Sequence, residues 1–467
     1  MRRRSAIVGI VACPLTACVA QPPVQDALHP RVEALVAPLV DARQFSGAVV
    51  LMRDGRVLLS HAWGLASREP ERAFTPDTPS DGASLAKTFT AAGLWTLVHE
   101  GRLAMDQPVQ ALVPEYPHAG TTVGQLLAHS NGLSPDYGSF DVHFKPGQAR
   151  TTQALLTLAG RASPVPSFAP GSRFEYSNLG YDAAARVIER VSGQPYATFV
   201  RERFFEPHGL VHSFARPAHF ADWPVPRTRG YRNRQGVWQL HDAYDDEALF
   251  GASNLIFSAS DLARWGDAWA RGRVLPREAE TAGRERPRIA GRPSAINGLS
   301  WYCDARGQRC HYTGSLNAFH ALVHWDRDRR ESVAFVSNSA LPPWQTISLQ
   351  RDLVAALAGR PAAAVDTGVQ GLKRIERAAR PSLAGRFEVG ALGTLKLSVG
   401  GPALQLQLDD GLVYDAYAVS PEVFYVPGTD WWLAFSEREP GHATGRPAGL
   451  RLHLRGMYHD VQAWRLE

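Results

Sequence analysis

Residues 80–103 read SDGASLAKTFTAAGLWTLVHEGRL and contain Lys87, one of only four lysines in the chain. Within it, Leu85, Phe89, Ala92, Leu94, Leu97 and Val98 recur near a 3.6-residue period, which predicts a broadly buried helix over 84–99. Ser84 and Lys87 are three residues apart, so on a helix they share one face and the amine reaches the hydroxyl. A serine is a weak nucleophile at neutral pH and needs such a neighbour to take its proton. The preceding Asp81-Gly82-Ala83 reads as a turn that places Ser84 at the helix N-terminus, where free backbone N–H groups stabilise a developing oxyanion. Alone, Ser-x-x-Lys is a loose pattern that an ordinary surface helix also carries.

Two more segments give it weight. In PGSRFEYSNLGYDAAARVIERVSG (170–193), Tyr176-Ser177-Asn178 stands just before a second helical pattern. Tyr176 supplies a phenol able to carry a proton beside a lysine, and Asn178 an amide able to bind both substrate and lysine. Tyr231-Arg232-Asn233 repeats the spacing but reads as a solvent-facing strand and turn. In CHYTGSLNAFHALVHWD (310–326), Tyr312-Thr313-Gly314-Ser315 leads into a strand. There glycine allows close backbone approach and the strand edge offers N–H groups to a substrate carbonyl.

The 467 residues are 45% hydrophobic and 20% charged, an ordinary globular composition large enough for more than one domain. The formal charge of +5 owes three units to Arg2, Arg3 and Arg4, and without them it falls to +2. No basic stripe with interleaved aromatics accompanies it, so nucleic acid is excluded as a partner on this reading. MRRRSAIVGIVACPLTAC (1–18) has a positive start, an apolar run too short to span a bilayer, and small residues, as a secretory signal does. Its ending, Leu15-Thr16-Ala17-Cys18, resembles the lipobox of bacterial lipoproteins. That resemblance implies cleavage after residue 17, a lipid on Cys18, and a protein anchored on the periplasmic side of a membrane. Cys303 and Cys310 flank what reads as a hairpin tip and, in an exported protein, either pair as a disulfide or stay as two thiols. The spacings support no metal site and no cofactor.

Along the chain, 18–29 reads as a Pro-containing tether and 31–43 as a helix. Two strands then flank Arg53-Asp54-Gly55. Further helices are expected at 181–191, 260–270 and 344–357, and late strands flank Arg327-Asp328-Arg329-Arg330. An Ala/Gly/Pro/Arg stretch at 359–381 reads as a linker between a catalytic domain at 30–358 and a domain at 382–467. There, about seven short alternating runs predict an antiparallel β sandwich or barrel.

Ser-x-x-Lys, Tyr-x-Asn and Tyr-Thr-Gly-Ser in this order resemble the serine β-lactamase and penicillin-binding protein superfamily. Within it they are most similar to the branch of class C β-lactamases, D-alanyl-D-alanine carboxypeptidases and related esterases. TVGQLLAHSNGLSPDY, FAPGSRFEYSNLGY and LFGASNLIFSASDLARWGDAW extend the resemblance over about residues 30–358. It implies an α+β catalytic domain, an antiparallel sheet flanked by helices with a helical subdomain, here followed by the small all-β C-terminal domain. It also implies serine hydrolysis through an acyl-enzyme on a small-molecule or peptide ester or amide. Ser84 would be acylated, Lys87 and Tyr176 would share the base, Asn178 would bind substrate, and the N–H groups of Ser84 and Ser315 would form the oxyanion hole. The alternative on the same fold is a non-catalytic sensor or ligand-binding protein.

The third motif departs from the family, which usually has Lys or His before Thr-Gly; here Tyr312 stands there and His311 is displaced by one. In a strand that displacement turns the side chain to the opposite face. Unless a bulge restores His311, or Arg309 supplies the charge, the cation that would bind a substrate carboxylate is missing. An uncharged ester or amide then fits better than a β-lactam or a C-terminal D-alanine.

Overall fold

Asp54 (φ +53°) and Gly55 (φ +77°) both adopt the left-handed backbone of a tight hairpin. They join β1 (Gly47–Arg53) to β2 (Arg56–Trp63). The structure is a computed structural model. In the first part of the chain it describes residues 24–133, 145, 150–162, 165–234, 236–243, 245, 247–294, 296–304, 306–341 and 343–360. Beyond these it describes 383–388, 394–400, 403–407, 413–418, 423–425, 432–435, 449–453 and 461–465. The signal segment with Cys18 and most of the linker lie outside the described residues.

Four later strands complete the hairpin's sheet: β3 (Tyr302–Cys303), β4 (Arg309–Leu316), β5 (Phe319–Asp326) and β6 (Glu331–Ser337). The order is β3-β4-β5-β6-β1-β2, antiparallel throughout. Its central strands are buried on both faces, and successive side chains go to opposite cores. Val49, Leu51, Leu322, Val333 and Phe335 pack with Val32, Val36 and Leu39 of α1 (Val24–Asp41) and with Leu349 and Leu353 of α5 (Pro343–Leu357). Ala48, Val50, Val323, Trp325 and Val336 face the other way. They meet α4 (Ala259–Ala270), which brings Trp265 and Trp269, and the helical region that holds α2 (Ala86–His99) and α3 (Asn178–Ser192).

One expectation is corrected. The stretch 18–29, read as a tether, is helical from Val24 onward, because α1 continues through Pro30 and Pro38 and buries Leu28 against the sheet. The sandwich-or-barrel alternative is decided as well: eight strands from Gly385–Glu388 to Val461–Arg465 close into an antiparallel barrel. Alternation fills it, with Leu395, Leu397, Leu404 and Leu406 turned inward with Phe387, Phe424 and Phe435.

Candidate active site

Ser84 lies in a 3₁₀ turn, Ala83–Leu85, just before α2 proper. Upstream, Ser80–Asp81 pairs with Leu255–Phe257, and the Gly82 N–H donates to the Leu255 carbonyl at 3.1 Å. Ala83 is held at φ +44°, a left-handed conformation that an L-residue adopts at a cost of about 1–2 kcal/mol. Its N–H donates to Asp81 Oδ1 at 2.8 Å, which fixes the bend. Asp81 is buried, and burial pushes its carboxyl up. The fully buried Arg216 opposes that shift from 4.0 Å, while also donating to Asn254 Oδ1 at 3.2 Å. On the far side α2 is anchored by Phe89, which stacks on Trp265 at 4.0 Å, and by Thr88, which accepts the Trp265 indole N–H at 3.2 Å.

Ser84, Lys87, Tyr176 and Asn178 converge. Lys87 Nζ lies 3.1 Å from Ser84 Oγ, 2.8 Å from Asn178 Oδ1 and 2.9 Å from the Ala252 carbonyl oxygen. The Tyr176 phenol is 3.1 Å from Ser84 Oγ, across 92 residues of chain. Asn178 opens α3, capped by Ser177 Oγ on the Gly180 N–H, and Tyr176 stands just before that cap, within reach of the serine. Burial lowers the Lys87 pKa from 10.5 to about 7, against the opposing charge of Asp182. The amine is therefore neutral, and basic, over the upper half of the physiological range.

Sequence reasoning passed over His129, Asp182 and Arg216. His129 (φ +52°) stacks on the Tyr176 ring at 4.3 Å, and its Nδ1 accepts the Ser177 N–H at 3.1 Å. Burial, then Lys87, holds its pKa well below 6.5, so it is a neutral plate that fixes the tyrosine. His129 sits inside TVGQLLAHSNGLSPDY, but nothing in that segment marks the ring as facing Tyr176.

The third element lies on β4. Pairing with β5 runs from Arg309 to Leu316 without a register shift, so no bulge brings His311 round. Arg309 is occupied at the hairpin tip, 3.1 Å from Asp304. Neither residue replaces the missing cation. Tyr312 shares a face with Gly314, which abuts the nucleophile turn. Burial, and then the nearby Tyr176, raise the Tyr312 pKa well above 10, so a neutral phenol occupies the place of the cation.

Gln308 accepts from the Arg327 N–H beside β5, and Arg309 accepts from the Asp304 N–H beside β3. The alternation directs the N–H groups of Thr313 and Ser315 away from β5. Among the described residues β3 pairs only with Cys310 and His311, so the edge at Thr313 and Ser315 has no strand partner there. Cys303 and Cys310 form a disulfide across β3 and β4. Among the described residues, no group of three or more His, Cys, Asp or Glu side chains is placed to hold a metal.

The beta-lactamase family model matches residues 32–357, over two thirds of the sequence. The chain belongs to the beta-lactamase family. This beta-lactamase-family chain is 32% identical over 326 residues to a penicillin-binding protein of Bacillus subtilis, covering 66% of its own length and 71% of that relative. It is 34% identical over 198 residues to the esterase EstB of Burkholderia gladioli, covering 39% of its own length and 50% of that relative. The octameric penicillin-binding protein homologue of Pyrococcus abyssi superimposes with a TM-score of 0.63 at 19% identity, over 93% of this chain and 99% of that one. This family member is a serine hydrolase of the acyl-enzyme type, acting on an ester or amide.

Proposed function

We propose that the substrate is an uncharged ester or amide, with Ser84 the acylated nucleophile. The supporting observation is Tyr312: a buried neutral phenol stands where a cation would bind a carboxylate, and neither His311 nor Arg309 compensates. Ser84 Oγ adds to the carbonyl while its proton passes to Lys87 Nζ, directly or by way of Tyr176. The N–H groups of Ser84 and Ser315 receive the oxyanion. The leaving alcohol or amine takes the proton back as its bond breaks. Water then repeats the sequence on the acyl-enzyme and frees Ser84.

The test compares wild type with Ser84→Ala on short p-nitrophenyl esters, a fluorescent penicillin, a chromogenic cephalosporin and D-Ala-D-Ala peptides. Ester cleavage abolished by Ser84→Ala, with little penicillin labelling, supports this reading. Release of D-alanine at comparable kcat/KM overturns it in favour of a carboxypeptidase, and binding without turnover favours the sensor.

We also propose that the protein is an exported lipoprotein anchored through Cys18. The support is the sequence of residues 1–18 and a disulfide suited to an oxidising compartment. Metabolic labelling with palmitate that survives Cys18→Ala rejects the anchor.

A further inference from the structure

Asp182 lies on α3 four residues after Asn178, one helical turn along the same face. Its Oδ1 accepts the Ala252 N–H at 3.1 Å, and the Ala252 carbonyl accepts Lys87 Nζ at 2.9 Å. A short loop thus connects a buried carboxylate to the amine that faces Ser84. The loop is pinned on both sides. Gly251 (φ +108°) presses on α3 so closely that a β-carbon there would sit 2.1 Å from the Tyr181 carbonyl oxygen. The Gly251 carbonyl accepts the Thr90 hydroxyl at 2.7 Å, from the turn of α2 after Lys87. One helix therefore holds the lysine twice, directly through the Asn178 amide and indirectly through Asp182 and the Ala252 loop.

We propose that Asp182 is a positioning residue for the general base: through the Ala252 loop it aims the Lys87 amine at Ser84, and its buried carboxylate is the counter-charge for that amine. The proposal rests on the general-base reading of Lys87 given above. The other titratable groups around Lys87 are phenols and an imidazole. Tyr176 and Tyr181 present ring faces to the amine, at 5.0 and 5.5 Å. His129 is neutral, and burial raises the phenol pKa values of Tyr181, Tyr312 and, beside Asp182, Tyr196. Asp182 is the carboxylate whose charge opposes the burial of Lys87.

The sign of its effect separates this role from scaffolding. Removing the negative charge disfavours the ammonium further, so the amine deprotonates at lower pH. The experiment records kcat/KM against pH on a neutral p-nitrophenyl ester for wild type, Asp182→Asn and Asp182→Glu, with Lys87→Met in parallel. The acid limb of Asp182→Asn is expected about 1 pH unit below that of wild type, whatever the loss in kcat, while Asp182→Glu keeps the limb near its original place. An Asp182→Asn limb at the wild-type position, or above it, overturns the proposal. If Asp182→Asn does not fold, Asp182→Ser makes the same charge deletion with a smaller acceptor and is read in the same way. Failure of the underlying reading shows elsewhere: Lys87→Met would then retain wild-type kcat/KM.

Discussion

Gly314 lies so close to Gly82 that a β-carbon on it would sit 2.1 Å from the Gly82 carbonyl oxygen and 3.2 Å from the Ala83 side chain. Strand β4 and the turn before Ser84 are thus in backbone contact. Gly314→Ala must push β4 away from Ser84. Because a displacement of about 1 Å at a reacting centre costs on the order of 100-fold, ester hydrolysis should fall by about that factor while circular dichroism stays native. Activity within about threefold of wild type would show that the contact does not position the site.

The pH dependence of acylation should carry the Lys87 titration. A base works when unprotonated, so kcat/KM on a neutral ester should rise with pH through about 7 and then level. A profile flat from pH 5.5 to 8.5 would contradict the assignment of Lys87.

The same lysine should weaken the fold. Its pKa is about 7 folded against 10.5 in the reference state. Between those values the unfolded chain binds more protons, so wild-type stability rises with pH across this window. Below pH 7 the cost of the buried ammonium is fully present. Lys87→Met should therefore be inactive yet more stable, by on the order of 1 kcal/mol, with the greatest advantage below pH 7 and a shrinking one towards pH 10. Urea titrations at pH 6 and 9 measure this, and an equal gain at both would contradict it.

Tyr312 should govern substrate charge. Tyr312→Lys places an ammonium beside Tyr176 and should raise kcat/KM for carboxylate-bearing substrates relative to neutral esters by about 10-fold or more, as one charge-assisted hydrogen bond would. Tyr312→Phe should leave the preference for neutral esters intact. An unchanged ratio in Tyr312→Lys would place the substrate carboxylate elsewhere.

The disulfide between Cys303 and Cys310 closes a short loop at the outer end of β3 and β4. Replacing both cysteines with serine should cost about 2 kcal/mol, read as a lower Tm that no longer responds to dithiothreitol. A Tm equal to that of oxidised wild type would show that the strand pairing holds without it.

Much of this was legible in the residues, and for a definite reason. The Ser84–Lys87 pair is a local relationship imposed by helical geometry, and the Tyr176-Ser177-Asn178 cap is local as well. The hairpins around Arg53-Asp54-Gly55 and Arg327-Asp328-Arg329-Arg330 were local as well, and both join strands of the central sheet. Helix starts were less legible: Pro22, Pro23 and the polar residues after them suggested a tether, but Leu28 and Val32 are held by the sheet, and packing outweighed propensity.

What the chain determined by itself was the set of parts: a hydroxyl and an amine one turn apart, a phenol before a helix, a glycine in a strand, and a tyrosine where a cation is usual. Only the tertiary structure decided that His129 supports Tyr176, that Asp81 and Arg216 hold the nucleophile turn, and that Asp182 reaches Lys87 through Ala252. These partners are separated by 47 to 165 residues in sequence, and local periodicity carries no information over such distances. Their meeting depends on which faces the two cores bury, and the low effective dielectric that makes Lys87 a base exists only once those cores have closed around it.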